Sequence, residues 1–201
     1  MDHPLGVILA GGRAERMGGG DKGVLALGRS TILSHVIDRL GPQVSDLALN
    51  ANGDAARFDR FGLPVLADSV PDFAGPLAGV LAGLDWAVER GASHMVTAAA
   101  DTPFFPADLV PRLLMAAEVA RVPIALASTV DGLHPTFGLW PVALREDLRD
   151  ALAGGTRKVT DWAERHGAAQ AEFPSGRVNP FFNVNTPEDL ARARAVLKEA
   201  T

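Results

Sequence analysis

Short apolar runs alternate along this chain with longer stretches in which apolar residues recur every three or four positions. The run at 5–10 predicts a buried strand, and Ile32, Val36 and Leu40 mark one face of an amphipathic helix at 31–40. The same patterns predict further strands at 46–51, 64–67, 95–100, 124–129, 134–140, 171–173 and 181–182. They predict further helices at 77–90, 106–119, 142–152, 157–166 and 187–198, with Thr186 as the N-cap of the last one.

Strands that are mostly separated by helices are typical of βαβ units, which build a largely parallel sheet with helices on both faces. We therefore predict the α/β fold class, and the length of 201 residues predicts a single domain over 1–201. Ligands bind at the carboxyl ends of the strands in such sheets. Polar residues that follow a predicted strand are therefore the first candidates for a functional site.

Composition and charge exclude several classes of function. The chain has no cysteine, which excludes disulfides, thiolate metal sites and cysteine nucleophiles. A net charge of -5 argues against nucleic acid as the partner, although a few cations can still dominate a cleft that binds a small anion. Residues 1–4 lack the basic region of a signal peptide, and no apolar run approaches the roughly 18 residues that span a bilayer. We therefore expect a cytoplasmic protein that does not contact a membrane.

A glycine-rich loop directly follows the first predicted strand. It reads LAGGRAERMGGGDK from Leu9 to Lys22. Glycine lets backbone N–H groups approach phosphate oxygens closely, and Arg16 and Lys22 add positive charge. The loop matches neither the P-loop nor the dinucleotide-binding pattern. It therefore predicts a phosphate site of another kind, with a flexible surface loop as the alternative.

This loop and a series of later motifs resemble the signature of the molybdenum cofactor guanylyltransferases, the MobA proteins. The motifs follow the order of that family and span nearly the whole chain: LAGG at 9–12, RMGG at 16–19, DKG at 21–23, LNAN at 49–52, ADS at 67–69, GPLAG at 75–79, DTP at 101–103, HPT at 134–136 and NVNTP at 183–187. The resemblance implies a Rossmann-like, three-layer α/β/α nucleotidyltransferase fold. It also implies an enzyme that transfers GMP from GTP to the terminal phosphate of the molybdenum cofactor (molybdopterin). This reaction forms the guanine dinucleotide cofactor and releases pyrophosphate.

The resemblance also implies roles for individual residues. Arg16, Lys22 and Asp101 would be catalytic. Asp101 would bind Mg²⁺, with Asn185 or Asn183 as a second ligand. The nucleotide would be bound by Leu9, Ala10, Gly11, Gly12, Lys22, Asn50, Asp68 and Gly79. Without the resemblance, the strand-end Asn50, Asp68 and Asp101 are equally well explained as turn residues, and Asn185 suits a helix start.

Several points stay open from the sequence. The pterin pocket is expected within 134–178, with Arg157 and Lys158 as candidate anion contacts and His134 as a substrate-side contact. Transient contacts with proteins that deliver or accept the cofactor are also expected. A related enzyme that uses CTP on the same cofactor, or another nucleotide on a sugar phosphate, is the alternative among enzymes. A non-catalytic nucleotide-binding protein is the alternative from another class.

Overall fold

The computed structural model describes residues 3–11, 22–70, 75–176 and 178–199. These residues form the strands β1 (Leu5–Leu9), β2 (Ala26–Leu27), β3 (Ser30–Thr31), β4 (Leu47–Asn50), β5 (Val65–Leu66), β6 (His94–Ala99), β7 (Ala125–Thr129), β8 (Gly132–Pro141) and β9 (Ala169–Glu172). They form the α-helices α1 (Ile32–Leu40), α2 (Pro76–Glu89), α3 (Leu109–Ala120), α4 (Arg145–Ala153), α5 (Val159–Arg165) and α6 (Pro187–Glu199). Short 3₁₀ helices lie at Lys22–Val24, Gly41–Gln43, Ala55–Phe61 and Val142–Leu144.

The central sheet has the strand order β5-β4-β1-β6-β8-β7-β9, and β2 and β3 form a separate hairpin. All strands of the central sheet run in one direction except β8, which is antiparallel to both of its neighbours. Only Val130 and Asp131 separate β8 from β7, and so short a connection joins antiparallel strands. The predicted, largely parallel sheet is therefore confirmed.

Helices cover both faces of this sheet because successive strand residues point to opposite sides. In β1, Ile8 belongs to the core shared with α1 and α3, whereas Val7 belongs to the core shared with α2, α4 and α5. This arrangement is the three-layer α/β/α fold that the motifs implied. A smaller apolar cluster, formed by Leu27, Ile32, Val184 and Ala193, joins α6 to the hairpin.

Most predicted elements are present with shifted ends; two predictions need correction, and one element was missed. The predicted strand at 181–182 is a turn, since the N–H of Phe181 donates to the side chain of Asn179 rather than to a neighbouring strand. The hairpin β2–β3 was not predicted. Helix α3 begins at Leu109 and not at 106, because the segment before it forms a turn in which Leu109 N donates to Pro106 O.

The start of α6 is formed as the sequence predicted. Thr186 Oγ1 accepts a hydrogen bond from Asp189 N, and the Asp189 carboxylate accepts one from Thr186 N. This reciprocal pair caps the helix and confirms Thr186 as its N-cap. No helix in the described part of the chain combines the length and the apolar character needed to cross a membrane.

Candidate active site

The carboxyl ends of β4, β1 and β6 lie side by side at one edge of the sheet. Ala10 N donates to Asn50 O at 2.8 Å, and Ala100 N donates to Leu9 O at 3.0 Å. The chain leaving β1 is therefore held between the ends of its two neighbours. Gly11 follows beside Asn50, since a methyl group added there would lie 3.8 Å from Asn50 Oδ1.

Asn50 joins the end of β4 to the segment that follows β5. Its side chain is buried, and its Nδ2 donates to Leu66 O at 3.1 Å and to Asp68 Oδ1 at 2.9 Å. Asn52 supports the same carboxylate: its Nδ2 donates to Asp68 Oδ2 at 2.7 Å, and its Oδ1 accepts from Asp68 N at 2.9 Å. Each oxygen of Asp68 thus accepts one amide hydrogen bond, which fixes the orientation of the carboxylate.

The first turns of α2 pack directly against this cluster. A methyl group added to Gly79 would lie 2.9 Å from Asn50 Cγ and 2.9 Å from Leu9 Cδ2. Glycine is therefore required for the helix to approach Asn50 so closely. Gly75 precedes the helix with a φ of 137°, a conformation that favours glycine, and Pro76 occupies the first helical position. The structure thus brings Leu9, Asn50 and Gly79 together.

Part of the predicted phosphate loop lies outside the described residues. This part includes Gly12 and Arg16, and nothing is described of the Lys22 side chain. Residues Lys22–Val24 form a 3₁₀ turn. A methyl group added to Gly23 would lie 3.9 Å from Ala100 O, so this turn runs past the end of β6. The backbone of Lys22 therefore belongs to a turn that passes the residue before Asp101.

Asp101 lies in the turn after β6 and is bound to the segment before α6. Asp101 O accepts a hydrogen bond from Val184 N at 2.8 Å. Thr102 Oγ1 lies 2.6 Å from Asn183 Oδ1 and 3.2 Å from Asp101 Oδ1. Asn185, which follows Val184, donates its backbone N–H to Asp189 Oδ2 at 3.0 Å. The structure therefore holds the segment 183–185 beside Asp101.

The donor chemistry of this region suits a hard divalent cation. Mg²⁺ is usually bound by one or two carboxylates, with substrate phosphates and water completing its coordination. Asp101 supplies a carboxylate, and the side chains of Asn183 and Asn185 carry amide oxygens. Among the described residues there is no group of three or more His, Cys, Asp or Glu that could hold a metal. The carboxylate and amide oxygens of Asp101 and the 183–185 segment are thus of the chemical type that Mg²⁺ prefers.

His134 and Arg157 were expected to contact the molybdenum cofactor. Both form hydrogen bonds with other residues of the protein. His134 Nε2 lies 3.0 Å from Thr129 Oγ1, and burial lowers the pKa of this histidine although the charge of Asp131 opposes the shift. Arg157 Nη1 donates to the carbonyl oxygens of Leu152 and Thr156, at 3.0 Å and 2.9 Å.

Two residues of this edge received no role from the sequence. Asn52 is separated from Asn50 by one residue, and a spacing of two on a strand places side chains on one face. This spacing could have indicated that Asn52 acts beside Asn50. Thr102 is fully buried and touches Asn183, which lies 81 positions away. No local signal could have indicated that contact.

Comparisons with known proteins identify the family of this chain. Residues 6–170 match the model of the MobA-like NTP transferase domain. The chain is 52% identical over 201 residues to the molybdenum cofactor guanylyltransferase of Mesorhizobium japonicum, a match that covers 98% of this chain and 97% of that relative.

Two crystal structures share the fold at low sequence identity. Molybdopterin-guanine dinucleotide biosynthesis protein A from Archaeoglobus fulgidus has a TM-score of 0.74 and 23% identity, and the match covers 97% of this chain and 99% of that one. A Mycobacterium tuberculosis protein in complex with manganese has a TM-score of 0.67 and 21% identity, covering 96% of this chain and 98% of that one. Sequence and fold thus agree, and this chain belongs to the MobA-like NTP transferase family.

Proposed function

We propose that this chain transfers GMP from GTP to the terminal phosphate of the molybdenum cofactor, forming the guanine dinucleotide cofactor and releasing pyrophosphate. One observation supports the proposal: the contacting residues Asn50, Asp68 and Gly79 lie at the same edge of the sheet as the turn that carries Asp101. They do so in a chain 52% identical to a molybdenum cofactor guanylyltransferase. The chain would act as one domain over 1–201 and in the cytoplasm, where GTP is available.

The cluster around Asn50 is the proposed nucleotide pocket. Leu9, Ala10 and Gly11 would form one side of it, since Ala10 and Gly11 lie beside Asn50, and Gly79 lets the helix come close to Asn50 and Leu9. Asp68 is an acceptor-only group when ionised, and it has lone pairs beyond those that accept the two asparagine amides. Such a group suits a ligand that presents donors, such as the N–H groups of guanine or the hydroxyl groups of ribose. Gly12 and Lys22 would complete this pocket around the phosphates.

Asp101 and Asn185 are the proposed ligands of a divalent cation, and Mg²⁺ is the cation that we propose. The oxygen donors of this region and the manganese complex of the Mycobacterium tuberculosis neighbour support a divalent metal. A bound Mg²⁺ would neutralise part of the negative charge on the triphosphate. The protein's part is to hold Asp101 and the 183–185 segment together, through Val184 N and the Thr102 hydroxyl.

The proposed reaction needs no covalent enzyme intermediate. An oxygen of the cofactor's terminal phosphate attacks the α-phosphorus of GTP in line, and the bond from that phosphorus to the bridging oxygen breaks, so pyrophosphate leaves. The positive charges of Arg16 and Lys22 would stabilise the negative charge that develops on the transferred and leaving groups. Asn50 and Asp68 would hold the nucleoside so that the α-phosphorus stays in position for attack.

The proposed partners follow from this reaction. GTP and the molybdenum cofactor are the substrates, and no nucleic acid or membrane takes part. Proteins that deliver the cofactor or accept the product would contact the chain transiently. The expected pterin site within 134–178 stays part of the proposal, with Arg157 and Lys158 as candidate anion contacts.

The test is pyrophosphate release after mixing the protein with Mg²⁺, the molybdenum cofactor and GTP, CTP or UTP in parallel. We expect release with GTP only. Asp101→Ala should abolish release but keep the fold, because the bond to Val184 uses the backbone carbonyl of residue 101. Lys22→Ala should raise the KM for GTP or lower kcat.

Each contrary outcome rejects a specific part of the proposal. Faster release with CTP would favour the cytidylyl alternative. GTP binding without any release would favour the non-catalytic alternative. Near-normal turnover of Asp101→Ala would remove Asp101 from the metal site.

A further inference from the structure

Asn179 ties the turn between β7 and β8 to the segment that leads into 183–185. Its Nδ2 donates to Asp131 Oδ2 at 2.8 Å and lies 3.5 Å from Thr129 Oγ1. Its Oδ1 accepts the backbone N–H of Phe181 at 2.8 Å. One amide side chain thus holds the end of a sheet hairpin and the backbone two residues further along its own segment. We call this set of contacts the Asn179 clasp.

Phe181, the residue that the clasp holds, is anchored in the core. It is buried, and its ring contacts those of Phe137 and Phe173 edge-on, with centroids 4.8 Å and 5.3 Å away. The ring of His134 stacks on it at 4.4 Å with an interplanar angle of 20°. The apolar contacts fix how deeply Phe181 is buried. The hydrogen bonds of the clasp fix the direction in which its backbone runs.

The backbone direction at Phe181 matters because the proposed metal segment begins two residues later. Asn183 accepts from the Thr102 hydroxyl, and Val184 N donates to Asp101 O. The segment is therefore held at one end by the clasp and at the other by the turn that carries Asp101. Residues 181–185 belong to neither a strand nor a helix. These few contacts, one of them between two backbone groups, therefore take the place of the ladder of hydrogen bonds that would otherwise define the position of the segment.

We infer that Asn179 is a positioning residue, which sets the place of the 183–185 segment opposite Asp101 by its bonds to Asp131 and to Phe181 N. The inference rests on the proposed function for its catalytic consequence. Its structural consequence is independent of that function. Asn179 touches no group that we place in the reaction, so it acts through the segment it holds.

The decisive variants exchange the amide and the carboxylate between Asn179 and Asp131. Asn179→Asp places two carboxylates at hydrogen-bond distance but leaves an oxygen to accept the N–H of Phe181. Adding Asp131→Asn supplies an amide that can donate to the new carboxylate, which restores the hydrogen bond with the roles reversed. Asp46→Asn is the matched control, because it removes another exposed carboxylate, paired with Arg90, at the opposite edge of the sheet.

Two readouts separate positioning from general stability. The first is hydrogen exchange of the Val184 amide in the protein without nucleotide. The second is a titration with MnCl₂, followed by electron paramagnetic resonance, in the presence of a GTP analogue with a methylene group between the α- and β-phosphorus. For Asn179→Asp we expect exchange at Val184 to be about tenfold faster and the Mn²⁺ dissociation constant to rise about threefold to tenfold. The double variant should return both to within about twofold of the wild-type protein.

The inference is overturned if Asn179→Asp lowers only the midpoint of thermal unfolding, with Val184 exchange and Mn²⁺ affinity equal to those of Asp46→Asn. It is also overturned if the double variant restores neither readout. Failure of the proposed function would show differently, as wild-type protein that releases no pyrophosphate. The exchange experiment would still report on the clasp in that case.

Discussion

Gly79→Ala is the sharpest test of the proposed nucleotide pocket, because the structure places almost no space beside this glycine. The new methyl group would lie 2.9 Å from both Asn50 Cγ and Leu9 Cδ2, and closer still to Asn50 Oδ1. Asn50 is buried and held by Leu66 O and Asp68, so it cannot move without breaking those bonds. The substitution therefore acts on the pocket through Asn50.

The expected magnitude combines three effects. Replacing a glycine inside a helix by alanine stabilises it by about 1 kcal/mol, while overpacking costs about 1–3 kcal/mol. The net change in the free energy of unfolding should therefore be small to moderate. Loss of the hydrogen bond from Asn50 to the Asp68 carboxylate is worth about 1.5–3 kcal/mol. If that bond orders the pocket for GTP, the dissociation constant should rise by about tenfold to a hundredfold.

Gly83→Ala is the matched control in the same helix. A methyl group there would meet Met95 Sδ and, at 3.0 Å, Val7 Cγ2. These atoms belong to the core that the sheet shares with α2, α4 and α5, and methionine adapts its side chain easily. Gly83→Ala should therefore change stability by a similar amount but leave the affinity for GTP unchanged.

Isothermal titration calorimetry with GTP and thermal unfolding of both variants would measure these effects. The reasoning is refuted if Gly79→Ala binds GTP as tightly as the wild-type protein. It is refuted equally if both variants lose affinity to the same degree, because the effect would then come from the helix and not from Asn50.

Two further predictions concern other contacts. Asn52→Ala removes both hydrogen bonds that Asn52 makes to Asp68. The dissociation constant for GTP should therefore rise about threefold to tenfold, with little change in the midpoint of unfolding. An unchanged dissociation constant in calorimetry would mean that Asn50 alone orients the carboxylate. The hydrogen bond from Trp162 Nε1 is the main cause that lowers the pKa of Asp147, with His166 contributing. This contribution to stability is therefore full above the unfolded pKa near 4 and is lost as the pH falls through the lower folded pKa. Asp147→Asn should thus unfold more easily than the wild-type protein at pH 7, and the difference should shrink as the pH falls below about 4. A difference that stays equal at every pH in urea titrations would contradict the assignment.

The clearest successes of sequence reasoning are elements whose signal is local. Thr186 was identified as a helix cap from its place before Pro187, and the structure confirms it with Asp189 as its partner. The prediction of a strand at 181–182 was wrong because the structure there depends on contacts that are not local. Two phenylalanines in a row suit a buried strand, but here Phe181 is buried at a turn whose N–H is bound by a side chain.

In the candidate site, too, local signals could be read from the sequence and contacts between distant residues could not. Asn50, Asp68 and Asp101 lie at or directly after the ends of predicted strands, where ligands bind in parallel sheets, and the resemblance to the family then implied their roles. Their catalytic and binding roles stay proposals. The supporting residues Thr102 and Asn179 could not be assigned from the sequence, because their roles depend on Asn183 and Asp131, which lie far from them along the chain.

The sequence by itself determined the alternation of strands and helices, the α/β class and membership of the family, because periodicity and ordered motifs are properties of the linear chain. Only the tertiary structure decided which groups meet. Asn50 binds a carboxylate 18 positions away, and Thr102 contacts an amide 81 positions away. Hydrogen bonds depend on distances of about 3 Å and on direction, and the packing of α2 and the 183–185 segment sets these. Nothing in the spacing along the chain specifies them.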